Sequence, residues 1–355
     1  MNILENLTAV FKPADGEKTT YEKSRYKGKF TFKGEKLASS LTVSTEKFGN
    51  LTAVRAKASI KNAFFAPDTA VAVTIPTLGE LDGFFANYQS CNHWCKPQFG
   101  SDIKTINPRT QALLYKVKGG KYGFILPIVD DTCKSELRGT ENGLELFTFA
   151  NVSNLKECDQ LVAIIGEGDE PYKLMNDCAA LSMKLLDNGA SVRTGRRYPE
   201  ILEYLGWCSW DALEIRISTE GLLEKCEEIK EKKIPFRWAI LDDMWAECDK
   251  LRDIPDDLNR ATGMFSVMHS SKIRSFEADP KRFPTGLKDC LDKMKEYGLK
   301  IGVWHPTSGY WAGIDPESEL AKKYKDLLVE CPNGRLMPKP ELPEAFLFYS
   351  AFHDF

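Results

Sequence analysis

The sequence predicts a two-part chain: an N-terminal antiparallel β-sandwich, then a parallel α/β domain holding the first three βα units of a (β/α)8 TIM barrel. Three observations predict it. Short β-branched runs punctuated by Gly, Asn and Lys fill the first half. Near residue 170 the rhythm changes to alternating strand-like and helix-like stretches. Each strand-like run of the second half then stops at acids and aromatics.

In the first half, Phe30–Phe32, Ser40–Ser44, Leu51–Val54 and Ala70–Ile75 read as strands. Ala112–Val117 and Tyr122–Pro127 flank Gly119-Gly120 and predict a hairpin. Leu144–Thr148 and Leu161–Ile165 continue the pattern, and many short strands of this kind suggest a sandwich. From Tyr172 to Leu186, the residues Leu174, Met175, Cys178, Leu181 and Leu185 recur at helical spacing. Arg193, Arg196, Arg197 and Pro199 then break the pattern. The expected division is residues 1–170 for the sandwich, 171–198 for a helical linker and 199–355 for the partial barrel.

In the second half, Tyr204–Trp207, Phe236–Leu241 and Lys300–Trp304 predict strands. Helices are expected over Ser218–Lys230, Leu287–Tyr297 and Glu344–Phe355. Repeated βα units imply a parallel sheet with right-handed crossovers. A closed barrel takes about 200 residues or more, more than follow residue 197. Either the domain is an unusual small α/β sheet or the sequence is a piece of a longer chain; three strands of an open barrel would leave an apolar edge, which favours the piece.

Composition narrows the function. The hydrophobic fraction is 43% and the charged fraction 28%, as in soluble globular proteins. A net charge of −3 argues against nucleic acid or an anionic membrane as the main partner. The start has no basic segment followed by an apolar core, and no window approaches the ~18 apolar residues of a membrane span. Ten scattered cysteines fit reduced, mostly buried thiols of a cytoplasmic protein. Only Cys91 and Cys95 lie close, and His93 is the one residue that would extend them towards a zinc site.

The three strand ends carry the chemistry. The first runs into Trp207-Cys208-Ser209-Trp210-Asp211, the second into Asp242-Asp243-Met244-Trp245, and the third into Trp304-His305 and later Tyr310-Trp311. In a parallel barrel such ends converge on one face. Asp211, Asp242, Asp243 and His305 would then surround a pocket walled by Trp207, Trp210, Trp245 and Trp304. Carboxylates accept hydroxyl hydrogen bonds strongly, and an indole covers the C–H face of a sugar ring. Plainer readings stand beside this one. Asp211 also fits a helix cap, His305 a structural histidine, and the run Asp249, Asp253, Asp256, Asp257 a solvated loop. Cys208 reads as lining rather than nucleophilic, and Asp242 with Asp243 also allows a metal site.

These motifs together resemble glycoside hydrolase family 36, in its raffinose synthase and seed imbibition protein branch. Ser275–Pro280, Arg282-Phe283-Pro284, Gly286-Leu287-Lys288 and Pro127–Asp130 add to the resemblance. It implies a β-sandwich followed by a (β/α)8 barrel, and retaining hydrolysis or transfer of α-galactosides without a cofactor or a metal. It implies that Asp242 and Asp243 bind galactose hydroxyls and that Trp210 and Trp304 shape the pocket, with Asp211 and His305 matching the motif in less defined roles. The partner it implies is an α-galactoside oligosaccharide. The family's nucleophile lies in a Lys-x-Asp motif on strand four and its acid/base further on, so both are expected beyond Phe355. Relatives often have Gly where this chain has Met244, which would reshape the pocket mouth. A non-catalytic carbohydrate-binding or assembly protein is the alternative.

Overall fold

The computed structural model describes residues 8–11, 19–21, 25–26, 29–34, 39–61, 64–65, 69–91, 94–130, 133–150, 155–250, 263–306, 310–330 and 334–338. His93, Asp253, Asp256, Asp257 and the helix expected over Glu344–Phe355 lie outside them. The chain divides into two compact units, residues 1–196 and 197–355.

Unit 1 holds strands β1 (Thr8–Phe11), β2 (Thr19–Tyr21), β3 (Arg25–Tyr26), β4 (Lys29–Gly34), β5 (Ser39–Phe48), β6 (Leu51–Ile60) and β7 (Val71–Ile75). These are followed by β8 (Leu81–Gln89), β9 (Cys95–Gly100), β10 (Thr110–Val117), β11 (Tyr122–Pro127), β12 (Cys133–Thr140), β13 (Gly143–Ala150) and β14 (Glu157–Gly168). Local chemistry sets the hairpins. Phe48 pairs with Leu51 across a two-residue turn in which Gly49 takes φ 63, a value a side chain resists. The β10–β11 hairpin forms where Gly119-Gly120 predict it, with Leu113 opposite Ile125.

The expected two-sheet sandwich is corrected in one respect. All fourteen strands belong to a single antiparallel sheet. One run ends at β12 and the other passes through β10, and the two touch only at Thr110 opposite Leu137. The sheet curls there, so Leu113, Ile125, Leu137, Leu144, Leu146 and Val162 from both runs fill one core. Period-2 alternation cannot encode that join, because one pair of residues makes it.

The stretch expected as a linker contains helix α1 (Pro171–Leu186), which packs on unit 1. Glu170 caps it by accepting hydrogen bonds from the Tyr172 and Lys173 amides, and Pro171 suits its first turn. Its buried stripe of Leu174, Cys178 and Leu181 lies against Leu51, Ala53, Phe124 and Ile164. Each fully buried leucine contributes roughly 1.5–3 kcal/mol. Asp187, in the left-handed region, ends it.

Unit 2 is built on β15 (Leu205–Cys208), β16 (Phe236–Leu241) and β19 (Lys300–Val303), a parallel sheet in the order β15-β16-β19. Between them run α2 (Trp210–Leu213), α3 (Thr219–Glu231), β17 (Ala246–Cys248), α4 (Phe265–Ser270), β18 (Ile273–Ala278) and α5 (Gly286–Lys295). Helix α6 (Glu319–Lys323) and strands β20 (Leu328–Glu330) and β21 (Leu336–Pro338) follow. Ser218 caps α3 through the Gly221 amide. Leu222 and Cys226 of α3, with Cys290, Leu291 and Met294 of α5, share a core with Ala239 and Leu241. Strand alternation sends the neighbouring side chains to the opposite face. There Gly206 pairs with Trp238, whose indole lies so close that a Cβ on residue 206 would sit 2.0 Å from its Cε2. No described helix is long and apolar enough to cross a membrane.

Candidate functional site

The carboxyl ends of β15, β16 and β19 meet. The register sets Cys208 beside Ile240, and Leu241 beside Val303. The chain continues this pairing past the strands: the Ser209 amide donates to the Ile240 carbonyl at 3.0 Å, and the Trp304 amide to the Leu241 carbonyl at 2.8 Å. The Ser209 hydroxyl accepts from the Asp242 amide at 2.9 Å. The Trp245 indole donates to the Trp304 carbonyl at 2.7 Å. Three segments far apart in sequence are thus tied at one end of the sheet.

Asp242 and Asp243 part company here. Asp242 is half-buried; its Oδ2 accepts from the Cys208 thiol at 2.8 Å and its Oδ1 from the Asp243 amide at 2.7 Å. Asp243 is 2% exposed. Its Oδ1 accepts from the Met244 amide at 2.7 Å and from the Tyr310 hydroxyl at 2.8 Å, and its Oδ2 accepts from the Trp311 indole. Burial dominates and pushes the Asp243 carboxyl up to about 6, although those three hydrogen bonds favour the anion. Both lie just past the end of β16, and their different hydrogen-bond partners separate the pair.

Met244 takes φ 73 with its side chain 1% exposed. That backbone region suits glycine, the residue the resemblance expects there. This left-handed residue stands three positions past β16, and the Met244 sulfur lies 3.4 Å from the Tyr310 hydroxyl.

Trp304 stacks on Trp311 with centroids 6.1 Å apart and planes 15° from parallel. His269 lies 5.1 Å from the Trp311 ring. His305 is half-buried and meets Phe276 edge-on at 5.3 Å. Burial pushes its imidazole down to about 4, so it is neutral at pH 7. Trp210 is half-buried against the unit 2 core. Asp211 is exposed in the first turn of α2, where a carboxylate suits the helix dipole. Cys208 is exposed, and burial of its surroundings, with the hydrogen bond to Asp242, pushes its thiol up to about 11.

Tyr310 and Trp311 stand in the aromatic run that the sequence marks, but nothing in their spacing assigns them to Asp243. The Ser275–Pro284 motif also gains a definite place. Asp279 is 1% exposed and accepts from the Lys281 and Arg282 amides, while the Arg282 guanidinium donates to the Ile215 carbonyl at 3.0 Å. It builds the turn between β18 and α5. Among the described residues no three His, Cys, Asp or Glu side chains converge as metal ligands.

A family model for raffinose synthase or seed imbibition protein Sip1 matches residues 37–335. The chain belongs to that family. This raffinose synthase/Sip1-family chain is 27% identical over 255 residues to probable galactinol–sucrose galactosyltransferase 6 of Arabidopsis thaliana, covering 65% of this chain and 34% of that protein. It is 23% identical to galactinol–sucrose galactosyltransferase of Pisum sativum, covering 68% and 33%. The chain therefore spans about a third of the length of these curated relatives. Among solved structures it resembles a GH36 α-galactosidase from Geobacillus stearothermophilus in complex with raffinose, with TM-score 0.51, 12% identity, and 96% of this chain against 52% of that one. An α-galactosidase from Lactobacillus brevis gives TM-score 0.52 at 11% identity, covering 98% and 51%. At such identities the structural likeness speaks for the fold.

Proposed function

We propose that unit 2 holds the galactose-recognition part of an α-galactoside-processing enzyme, a retaining hydrolase or a galactosyltransferase. The observation that carries this is the meeting of three strand tips around Asp242, with Trp304 stacked on Trp311 alongside. The names of the relatives and the raffinose-bound neighbour support the substrate class. In this reading Asp242 accepts sugar hydroxyls, and Trp304 offers a flat wall for the ring. Trp210, Asp211 and His305 border the pocket. Asp243 anchors the segment after β19 and thereby fixes Asp242. The three parallel strands belong, in the same proposal, to a (β/α)8 barrel, and the partner is an α-galactoside oligosaccharide. Retention needs two carboxyls about 5–5.5 Å apart. The resemblance puts the nucleophile on a fourth strand and the acid/base further on, so in this proposal both are assigned downstream of the three strands of unit 2. The proposed location is the cytoplasm, in keeping with ten scattered cysteines read as reduced, mostly buried thiols.

Calorimetric titration of galactose into the chain and into Asp242→Asn tests the pocket. Loss of a charged hydrogen bond should weaken affinity at least about tenfold; unchanged affinity sinks the assignment. An aryl α-galactoside assay tests the rest, since hydrolysis by this chain alone would place the bond-breaking carboxyls within it. A second reading, sugar binding without turnover, expects binding with no hydrolysis even when the chain is extended downstream.

A further inference from the structure

We propose that unit 1 carries a second ligand site, for a small neutral polyhydroxylated molecule of about one hexose ring. The site is a cavity of about 210 Å³ beside the turn of the β10–β11 hairpin, lined by Leu78, Tyr115, Val117, Lys121, Gly123 and Glu167 among others. Tyr115 is 2% exposed, and its hydroxyl has no hydrogen-bond partner among the described residues. Buried hydroxyls are normally satisfied, so an unpartnered one in a residue that lines a cavity points to something the cavity takes up.

The backbone explains how the ring comes to lie beside the cavity. Tyr115 pairs with Gly123, and Gly123 with Glu167, so the three form one row across β10, β11 and β14. A Cβ on residue 123 would lie 2.1 Å from the Tyr115 Cζ and 2.4 Å from its Oη. Glycine in the middle of the row lets the phenol ring lie across β11 towards Glu167. Burial raises the phenol pKa, and the Glu167 charge adds to the rise.

The lining selects the ligand. Leu78 and Val117 give an apolar floor for ring C–H groups. Lys121 and Glu167 are both exposed at the rim, one of each sign, so neither an anion nor a cation gains from the pair as a whole. A neutral molecule whose hydroxyls donate and accept uses all three: it accepts from Lys121, donates to Glu167 and pairs with the Tyr115 hydroxyl. The volume is below the roughly 300–1,000 Å³ of drug-sized pockets and far above the ~30 Å³ of one water, which suits a single ring. The site lies wholly in unit 1 and does not depend on the function proposed for unit 2.

The test is an amide NMR titration of the full chain with D-galactose and with myo-inositol, in an Asp242→Asn background that weakens the strand-tip cluster. Saturable shifts are expected at Gly79, Lys121, Gly123 and Glu167 with at least one of the two. Tyr115→Phe should weaken that binding by up to about tenfold, the value of one neutral hydrogen bond. Glu167→Gln, at an exposed position, should weaken it too and guards against a folding artefact in the first variant. No saturable shift at these amides, or shifts that survive both substitutions unchanged, overturns the proposal. Failure here with galactose binding intact in the wild-type strand-tip cluster leaves the function of unit 2 standing.

Discussion

Strand β7 of unit 1 and strand β15 of unit 2 bury their residues in opposite ways. In unit 1, β7 is buried at all five positions and its sheet curls around one core. In unit 2, β15 buries none of its four, and Leu205 is 54% exposed. An antiparallel sheet can leave one face wet, but parallel sheets are ordinarily covered on both. Unit 2 covers one face with α3 and α5 and presents Gly206, Cys208 and Gly302 on the other. Stability and burial coincide in unit 1. In unit 2 the face that stabilises least carries the polar chemistry.

The largest effect that tests this contrast is in unit 1. Leu137→Ala empties a position with 0% exposure and should cost about 2–5 kcal/mol in denaturant unfolding. Ile240→Ala, on the half-exposed face of β16, should cost clearly less. Equal losses would erase the distinction. Next comes the contrast between adjacent aspartates within unit 2. Asp243→Asn sets an amide against the donors of Trp311 and Tyr310 and should cost about 1–3 kcal/mol. Asp242→Asn should stay within about 0.5 kcal/mol while weakening sugar binding. If both cost the same, the division of labour between them is wrong.

A third, smaller effect is a pH dependence. Asp243 holds its proton to about pH 6 in the folded chain, against about 3.9 for an unfolded aspartate. Between those values the folded state binds more protons, so this group makes stability fall as pH rises from about 4 to about 6 and level off above. The slope reaches at most about 1.4 kcal/mol per pH unit. Unfolding curves across that window should lose this component in Asp243→Asn; an unchanged slope assigns it elsewhere. The smallest effect concerns Cys208. With its thiol pushed up to about 11, iodoacetamide should label it slowly at mildly alkaline pH and faster towards pH 11. Asp242→Asn should quicken the labelling by removing the carboxylate that holds the proton; an unchanged rate would deny the Cys208–Asp242 contact.

Local chemistry made much of this legible in the sequence. The β10–β11 hairpin follows from Gly119-Gly120, and α1 from the spacing of Leu174, Cys178 and Leu181. The strand tips were legible because each apolar run of the second half stops at acids and aromatics. What was not legible depends on residues far apart. Asp243 is buried because Tyr310 and Trp311 reach it from 67 and 68 positions downstream. The join at Thr110 and Leu137 depends on a register that no single strand encodes. At Met244 the resemblance suggested a reshaped pocket mouth, whereas the structure gives a buried side chain on a left-handed backbone.

Gly206 and Trp238 form a unit of inheritance. While the indole stays, any side chain at residue 206 collides with it, and while residue 206 is bare, shrinking the indole leaves a hole beside β15. Substitutions at these two positions should therefore arise together in related chains, the small residue growing as the large one contracts.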